Sequence, residues 1–552
     1  MKSIVDKNKY YFLKKELLNL IRKKNPNFNL SIDHPSLEKF GDFSVRGDID
    51  LSADENLIEK VEKVAGFTNI FIKNERLIKE TEKIGTEEWQ KELNKNGEGK
   101  TMVIDYSAPN IAKPFGIGHL RSTNIGQAIY NIYQILGWKC IGDNHLGDWG
   151  TQFGKLIVAI KKWGEKPVEK MTIEDLETLY VKFHKEVETD EKLEDEAREW
   201  FSKLENGDEE AKSIWQKCID ISIKEFSQVY ELLGVKIDYA LGESFYLDKM
   251  PNVVKLMENK GILKDSEGAK IIEFDKMPPA MVMKSNETTT YFLRDMATVK
   301  YRLDTWNPNL IIYEIGADQE LHCRQIFAAS KMLGWTPQFY NVAHGMIRWK
   351  EGKFSTRHGQ TIHLTEVIEK AMEEAKKIAP DNDEVKIKAV AIGAIKFNDL
   401  AQDPKRDIIF DWEKVMSMDG NSGPYLQYTY ARCKSILNKS SIFPPKADQP
   451  LADNLQPTIK NIEFKNINEE ESSLLREFYK FEEKIVEAAE RFSPSVVAEY
   501  LLGLARKYNE FYGKYRIIGE NEEEQRLFLT ERTAKILKLG LTLLGIETME
   551  KM

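Results

Sequence analysis

Apolar positions change their period several times along the chain, and those changes mark out its elements. An amphipathic stretch from Tyr10 to Ile21 reads as a helix, followed by short strand-like pieces such as Ile70-Phe71-Ile72. The polar run from Glu92 to Lys100, broken by Gly97 and Gly99, reads as a linker. Beyond it, Thr101 to Asp105 is a short apolar run that ends in a polar loop. Ile125, Ala128, Ile129, Ile132 and Leu136 then recur at helical spacing, and Lys139 to Gly142 forms another short apolar run. Strand, loop, helix and strand in that order predict the start of a doubly wound α/β unit.

From about 165 to 260 the pattern is helical and heavily charged, with one long stretch from Thr172 to Phe226. The alternation then returns as a run from Leu310 to Ile315, a helix from about Arg324 to Leu333, and a run from Tyr340 to Ala343. One doubly wound fold, interrupted by a helical insertion, accounts for all of it. From about 410 onward nearly everything is helical. Ser493-Pro494 is a good helix start. Behind it Val497, Tyr500, Leu501, Leu504, Ala505, Tyr508, Phe511 and Tyr512 make one apolar stripe, which reads as a bundle core. Phe443 to Pro457 reads as a polar loop between helices. The predicted fold class is multidomain, α/β plus all-α. It comprises a small α+β N-terminal domain (1–100), a parallel-sheet domain (101–405, insertion about 165–280) and an α-helical domain (406–552).

Composition narrows the setting more than the function. Of 552 residues, 41% are apolar and 31% charged, the balance of a globular protein. No run approaches the ~18 apolar residues that suggest a membrane span, and the N-terminus has no apolar signal core. The four cysteines, Cys140, Cys218, Cys323 and Cys433, lie far apart and form no C-x-x-C pair. Neither a zinc site nor a disulfide framework is indicated, and a reducing, cytoplasmic setting is expected. The formal net charge of −9 argues against non-specific nucleic-acid binding, although 80 basic side chains suffice to build one basic face.

Two loops carry the candidate chemistry. The first, Ser107 to His119, contains Gly116 and Gly118, which let the backbone approach a bulky ligand. The helix that starts near His119 offers unpaired N–H groups and a positive dipole end to phosphate. Lys113 adds a mobile cation and His119 an imidazole donor. The second loop, Lys353-Phe354-Ser355-Thr356-Arg357-His358-Gly359, is short, basic and glycine-ended. Each alone is compatible with a helix cap or a solvated surface loop. Together, in one interrupted α/β fold, they form a constellation suited to phosphates.

The pair resembles the two ATP-binding signatures of class I aminoacyl-tRNA synthetases, and the detail resembles the arginyl-tRNA synthetases. The segments that carry this are Ser107 to Thr123, Asn144 to Leu156, Tyr291 to Ala297 and Asn421 to Arg432. They stand in that family's order from about residue 35 to the C-terminus. Two positions depart from the family pattern. Gly116 stands where the first signature usually begins with histidine, and Thr356 stands where the second usually has lysine. Lys113 matches a lysine that substitutes for the second loss. Ala108 replaces a common serine.

The resemblance implies a Rossmann-like catalytic domain, an anticodon-binding helical bundle and an N-terminal domain on the tRNA elbow. It implies that ATP, with Mg²⁺, activates L-arginine in a tRNA-dependent step, and that tRNA(Arg) then receives it at the terminal adenosine. His119, Lys113 and Lys353 become the expected catalytic residues. Gly116, Gly118, His119, Lys353 and Ser355 are expected around ATP. Asp105, Asn110, Tyr291, Asp295 and Gln319 are carried onto the arginine pocket. There Asp105, Asp295 and Tyr291 would hold the guanidinium, and Asn110 and Gln319 the amino-acid end. His145 and Asp148 could shape the site, Trp149 is as readily core, and His322 is open. Tyr425, Gln427, Tyr428, Tyr430 and Arg432 are candidate tRNA contacts, some of which belong to the core. No protein metal site and a monomer are expected. Two rivals remain, a synthetase for another amino acid and a catalytically silent RNA-binding relative. The carboxylate at Asp295 speaks against the first, and Lys113, His119, Asp295 and Lys353 speak against the second.

Overall fold

The computed structural model describes residues 12–27, 31–54, 56–286, 288–349, 363–378, 383–441, 462 and 464–552. The chain opens with helix α1 (Phe12–Lys24), whose buried Leu13, Leu17 and Ile21 recur every fourth residue. That stripe lies on a four-stranded antiparallel sheet. Its strands are β1 (Ile32–Asp33), β2 (Phe43–Arg46), β3 (Ile58–Val64) and β4 (Phe67–Ile72), in the order β1-β2-β4-β3. Helices α2 (Asn74–Lys83) and α3 (Glu87–Asn94) lead out of it.

The central sheet has five strands, all parallel, in the order β12-β11-β5-β6-β7. Strand β5 (Thr101–Asp105), helix α4 (Ile117–Ile135) and strand β6 (Lys139–Asn144) are the unit predicted from the patterning. Strand β7 is Tyr239–Ala240, β11 is Leu310–Gly316 and β12 is Gln338–His344. The order reverses between β5 and β11, so a crevice opens where those two strands end. Gly126 lets α4 settle on the sheet: a Cβ there would stand 2.3 Å from the Tyr106 side chain, which is wholly buried.

Between β6 and β11 the chain makes helices α5 (Thr151–Trp163), α6 (Ile173–Val187), α7 (Lys192–Glu205), α8 (Glu209–Leu233) and α9 (Met250–Asn259). The long helical stretch expected from Thr172 to Phe226 is three helices, because chain turns at 188–191 and 206–208 break it. The insertion is also not helical throughout. Strands β8 (Lys264–Ser266), β9 (Ala269–Phe274) and β10 (Met277–Met283) form an antiparallel sheet of order β10-β9-β8. The two-residue turn Glu267-Gly268 has φ of 50° and 81°, the left-handed pair that closes a tight hairpin. Helix α10 (Tyr291–Trp306) returns the chain to β11, and α11 (Glu320–Met332) connects β11 to β12.

After β12 come β13 (Ile347–Trp349), α12 (Leu364–Ile378), α13 (Glu384–Leu400) and β14 (Ile408–Phe410), with β13 and β14 paired in parallel. A short α14 (Trp412–Val415) precedes the bundle of α15 (Gly423–Lys439), α16 (Glu469–Phe478), α17 (Lys480–Arg491), α18 (Ser495–Lys514) and α19 (Glu523–Leu543). The predicted stripe of α18 is buried from Val497 to Phe511, while Tyr512 is exposed. The N-terminal sheet docks on this bundle. Trp89 stacks on Phe481, and Lys507 reaches Glu38 at 2.6 Å and Glu477 at 2.6 Å. Lys396 of α13 is buried and donates to the carbonyls of Leu233 and Gly545. Among the described residues, no helix is long and apolar enough to cross a membrane.

Candidate functional site

The first loop runs from β5 into α4 and is held by side chains from all sides. Ser107, Ala108 and Ala112 take φ of 74°, 42° and 62°, a conformation that costs non-glycine residues of order 1 kcal/mol each. Each of their N–H groups is met. Ser107 N donates to Ser122 Oγ at 2.9 Å, Ala108 N to Asn144 Oδ1 at 3.0 Å, and Ala112 N to Ser222 Oγ at 2.9 Å. Phe115 N donates to Glu225 Oε1 at 3.3 Å. Ser222 and Glu225 lie on α8, so the insertion shapes this loop. Their spacing of three places both on one face of that helix, a signal present in the sequence but pointing nowhere until α8 is placed.

Gly116 caps α4 and His119 sits in its first turn. Gly116 N donates to His119 Nδ1 at 3.3 Å, which leaves the imidazole proton on Nε2. Burial, with the nearby charges of Lys113 and His344, pushes His119 down to about 4. The ring is therefore neutral at physiological pH and presents an N–H donor. Lys113 rests with Nζ 5.4 Å from the centre of the Tyr180 ring on α6. Gly118 is exposed in the same turn. Lys353, Ser355, Thr356 and the rest of the second loop lie outside the described residues.

One buried side chain ties the approach to β13 to the approach to β14. Arg121 of α4 donates from Nε to Asp399 Oδ1 at 3.0 Å, and from Nη1 to the carbonyls of Gly345 at 2.8 Å and Arg406 at 2.7 Å. Gly345 precedes β13 and Arg406 precedes β14. Nearby, His344 ends β12, and its Nδ1 bonds Glu314 Oε1 at 2.8 Å. Burial disfavours its charge, but the Glu314 carboxylate outweighs that and holds the imidazole above its ordinary value.

At the crevice the arginine-pocket candidates separate into two groups. Asp105 ends β5, and its Oδ2 accepts from Arg302 Nη2 at 2.6 Å. Arg302 also donates from Nε to Asp143 Oδ2 at 2.9 Å, and its side chain is wholly buried. Asp105 was expected to receive the guanidinium directly. One of its oxygens instead neutralises an internal arginine, and sequence reasoning missed Arg302 altogether. Asp295 is differently placed. Its carboxylate meets His322 Nε2 on one side and stands 3.5 Å from His145 Nε2 on the other. Burial opposes its charge, but the His322 hydrogen bond and the charges of His145, His322 and Arg302 hold it below the usual carboxylate range. Burial lowers His322, and Asp295 more than reverses that, so His322 is raised.

Tyr291 stands at the rim, 60% exposed, with the Arg294 guanidinium 4.4 Å from its ring centre. Asn110 is exposed and bridges to Gly147, and Gln319 is exposed at the start of α11, just past β11. Asp148 is buried and accepts from Ser244 N at 2.8 Å and Ser244 Oγ at 2.6 Å, so it fixes the wall rather than facing the crevice. Trp149 is core, edge-on to Phe201 and Trp215.

Two of the residues read as tRNA contacts are corrected. Gln427 has no exposed surface, and its Nε2 donates to Ala389 O at 3.0 Å and Glu547 O at 2.8 Å. Tyr430 is also buried. Both fall on the inward face of α15. Tyr428 is exposed on the opposite face, and the Arg432 guanidinium lies between Tyr428 and Tyr512, 4.7 and 4.9 Å from their ring centres. Tyr425 is half-buried and accepts from Asn509 Nδ2 at 2.9 Å.

Residues 84–412 match the family described as tRNA synthetases class I (R), catalytic domain, and residues 426–552 match the DALR anticodon binding domain. The chain is 42% identical over 470 residues to the arginine–tRNA ligase of Halothermothrix orenii, covering 83% of this chain and 81% of that one. Against the arginine–tRNA ligase of Clostridium botulinum (strain Okra) it is 41% identical over 509 residues, covering 90% and 88%. It superposes on the arginyl-tRNA synthetase of Plasmodium falciparum with a TM-score of 0.82 and 25% identity, over 98% of this chain and 99% of that one. The Thermus thermophilus structure of that name agrees in fold, with a TM-score of 0.82, 22% identity and coverage of 98% and 100%.

Proposed function

The chain belongs to the arginyl-tRNA synthetase family of class I, and on that premise we propose how its own residues divide the work. The activity is that of an arginine–tRNA ligase: ATP activates L-arginine, and the arginyl group passes to tRNA(Arg). The arginine carboxylate attacks the α-phosphorus and pyrophosphate leaves with the bridging oxygen. The terminal adenosine 2′-OH then attacks the arginyl carbonyl, and AMP departs. No protein nucleophile is required, so catalysis rests on positioning and on donors placed where phosphate charge develops.

Asp295 is the principal partner of the substrate guanidinium, with Tyr291 covering it from the rim and Asp105 acting through Arg302. The carrying observation is an ionised carboxylate set between His322 and His145 at the crevice. Asn110 and Gln319 receive the amino-acid end. His119 donates from Nε2 to the phosphates beside Gly116 and Gly118, Lys113 swings from Tyr180 to join it, and Lys353 and Ser355 approach from the second loop. Mg²⁺ arrives as part of the ATP complex, held by phosphate oxygens. Tyr428, Arg432 and half-buried Tyr425 offer stacking faces to unpaired tRNA bases, and the N-terminal domain faces the elbow. We place the enzyme in the cytoplasm as a monomer.

ATP–pyrophosphate exchange with each of the twenty amino acids, with and without tRNA, tests this reading. Exchange with arginine alone, and only when tRNA is present, is expected. Exchange with a different amino acid would overturn the pocket, and exchange without tRNA would overturn the coupling to tRNA.

A further inference from the structure

We propose that His344 is a second imidazole donor to the ATP phosphates, standing in for the side chain that Gly116 lacks. This rests on the reading of the first loop as the phosphate site. His344 is the last residue of β12 and lies opposite Gly316 of β11 in the parallel register, at the edge of the crevice. The first two turns of α4 enclose it. Arg121 grips the carbonyl of the next residue, Gly345, at 2.8 Å, and Ser122 Oγ donates to the carbonyl of Glu314 at 3.2 Å. Ser122 is three residues from His119, on the same side of the helix. The two imidazoles thus lie on facing elements, and the charge of His344 is one of those that lower His119.

The orientation of His344 is set. Glu314 is buried, and its Oε1 takes Nδ1 of His344 at 2.8 Å. The other ring nitrogen, Nε2, has no hydrogen-bond partner among the described residues. A carboxylate behind a histidine fixes its tautomer and favours the doubly protonated ring. The charged and titratable groups around it are Glu314 from β11, His119 and Arg121 from α4, and Asp399 from α13. The division of labour is then unequal: His119 is a neutral donor, whereas the Glu314 carboxylate favours the charged ring of His344, which donates from Nε2 to the same phosphates. As the arginine carboxylate oxygen bonds to the α-phosphorus and the bond to pyrophosphate breaks, charge grows on the phosphate oxygens. His344 stabilises that charge without giving up its proton.

The test is arginine-dependent ATP–pyrophosphate exchange, with tRNA present, in four proteins: unaltered, His344→Asn, Gly116→His and the double variant. Asparagine keeps a donor where Nδ1 bonds Glu314 and has nothing at Nε2. Gly116 has an ordinary extended φ of −88°, so its backbone conformation does not itself require glycine. His344→Asn is expected to lower the rate at saturating substrates about a hundredfold, as loss of one such donor does. The KM for arginine should hold within about twofold, because the amino-acid pocket keeps all its groups. Restoring histidine at 116 should recover at least about tenfold of the loss in the double variant. A His344→Asn rate near that of the unaltered protein overturns the proposal, and so does a loss that Gly116→His does not relieve. If the unaltered protein exchanges with no amino acid, the reading of the site falls first and this role falls with it.

Discussion

Arg302 holds Asp105 at 2.6 Å in a pair whose arginine side chain is wholly buried. The end of β5 therefore already faces an internal cation before any substrate arrives, and the recognising charge lies in the first turns of α10, on Asp295.

Asp295 and Asp105 should consequently respond differently to the same change. Asp295→Asn is expected to raise the KM for arginine about a hundredfold, as removing one partner of a close charge pair does. Asp105→Asn should chiefly cost stability, on the order of 3 kcal/mol, because it loosens a buried ion pair. Steady-state exchange and denaturant unfolding read the two effects. Equal KM values in the two variants would refute the division.

The His322–Asp295 pair gives arginine binding a pH dependence. His322 is raised because Asp295 overcomes the cost of burial. A raised histidine contributes stability that is fully present below its ordinary value and is lost as pH rises through its elevated one. The imidazolium also repels an incoming guanidinium, so the KM for arginine should fall as pH rises through that value. In His322→Gln the KM should be flat over the same range. A KM that rises with pH in the unaltered protein would reverse the sign and defeat the prediction.

His119 predicts an acid limb of stability. The unfolded chain protonates this ring near 6.5 and the folded one only near about 4. Between those values the unfolded state binds more protons, so stability falls as pH falls and levels off below about 4. His119→Asn keeps an acceptor for Gly116 N and removes the titration. Its unfolding free energy should be flatter across this window, and its exchange rate about a hundredfold lower.

On α15, Gln427 and Arg432 should separate folding from tRNA binding. Gln427→Leu leaves the carbonyls of Ala389 and Glu547 without their donor and should cost about 2 kcal/mol of stability. Arg432→Ala should weaken tRNA about tenfold, the scale of one lost stacking contact, while the melting temperature holds. Filter binding at fixed salt decides it: undiminished tRNA affinity in Arg432→Ala would remove this face from the interface.

The parallel sheet was legible because its strands are apolar runs separated by helices of clear period. The β8–β10 meander was not, since its strands are short and partly exposed and interrupt a charged region without strong alternation. Asp295 stood out through the segment around it, and His145 and His322, which flank it, were weighed beside it, but Arg302 was not. Arg302 follows Asp295 by two helical turns, on the same face of α10, but only the neighbouring strands reveal that it points to Asp105 and Asp143. Gln427 and Tyr428 are adjacent in sequence and differ wholly in exposure, because one residue of rotation on α15 separates the core from water. His344 ends a strand without a motif of its own, and its meaning depends on Glu314 beside it and α4 above.

Lys396 buries an ammonium whose acceptors are the carbonyls of Leu233 and Gly545, and Gln427 reaches Glu547 O in the same region. Burial without a carboxylate pushes Lys396 down to about 8, so each carbonyl matters to it. Residues 545 and 547 leave the ribosome after every element they fasten. A nascent chain can shape its sheet and its insertion early, but the seam joining them to the bundle closes only once residues 545 to 547 are clear of the ribosome. The enzyme that supplies arginine to translation is thus locked together by residues made after the parts they join.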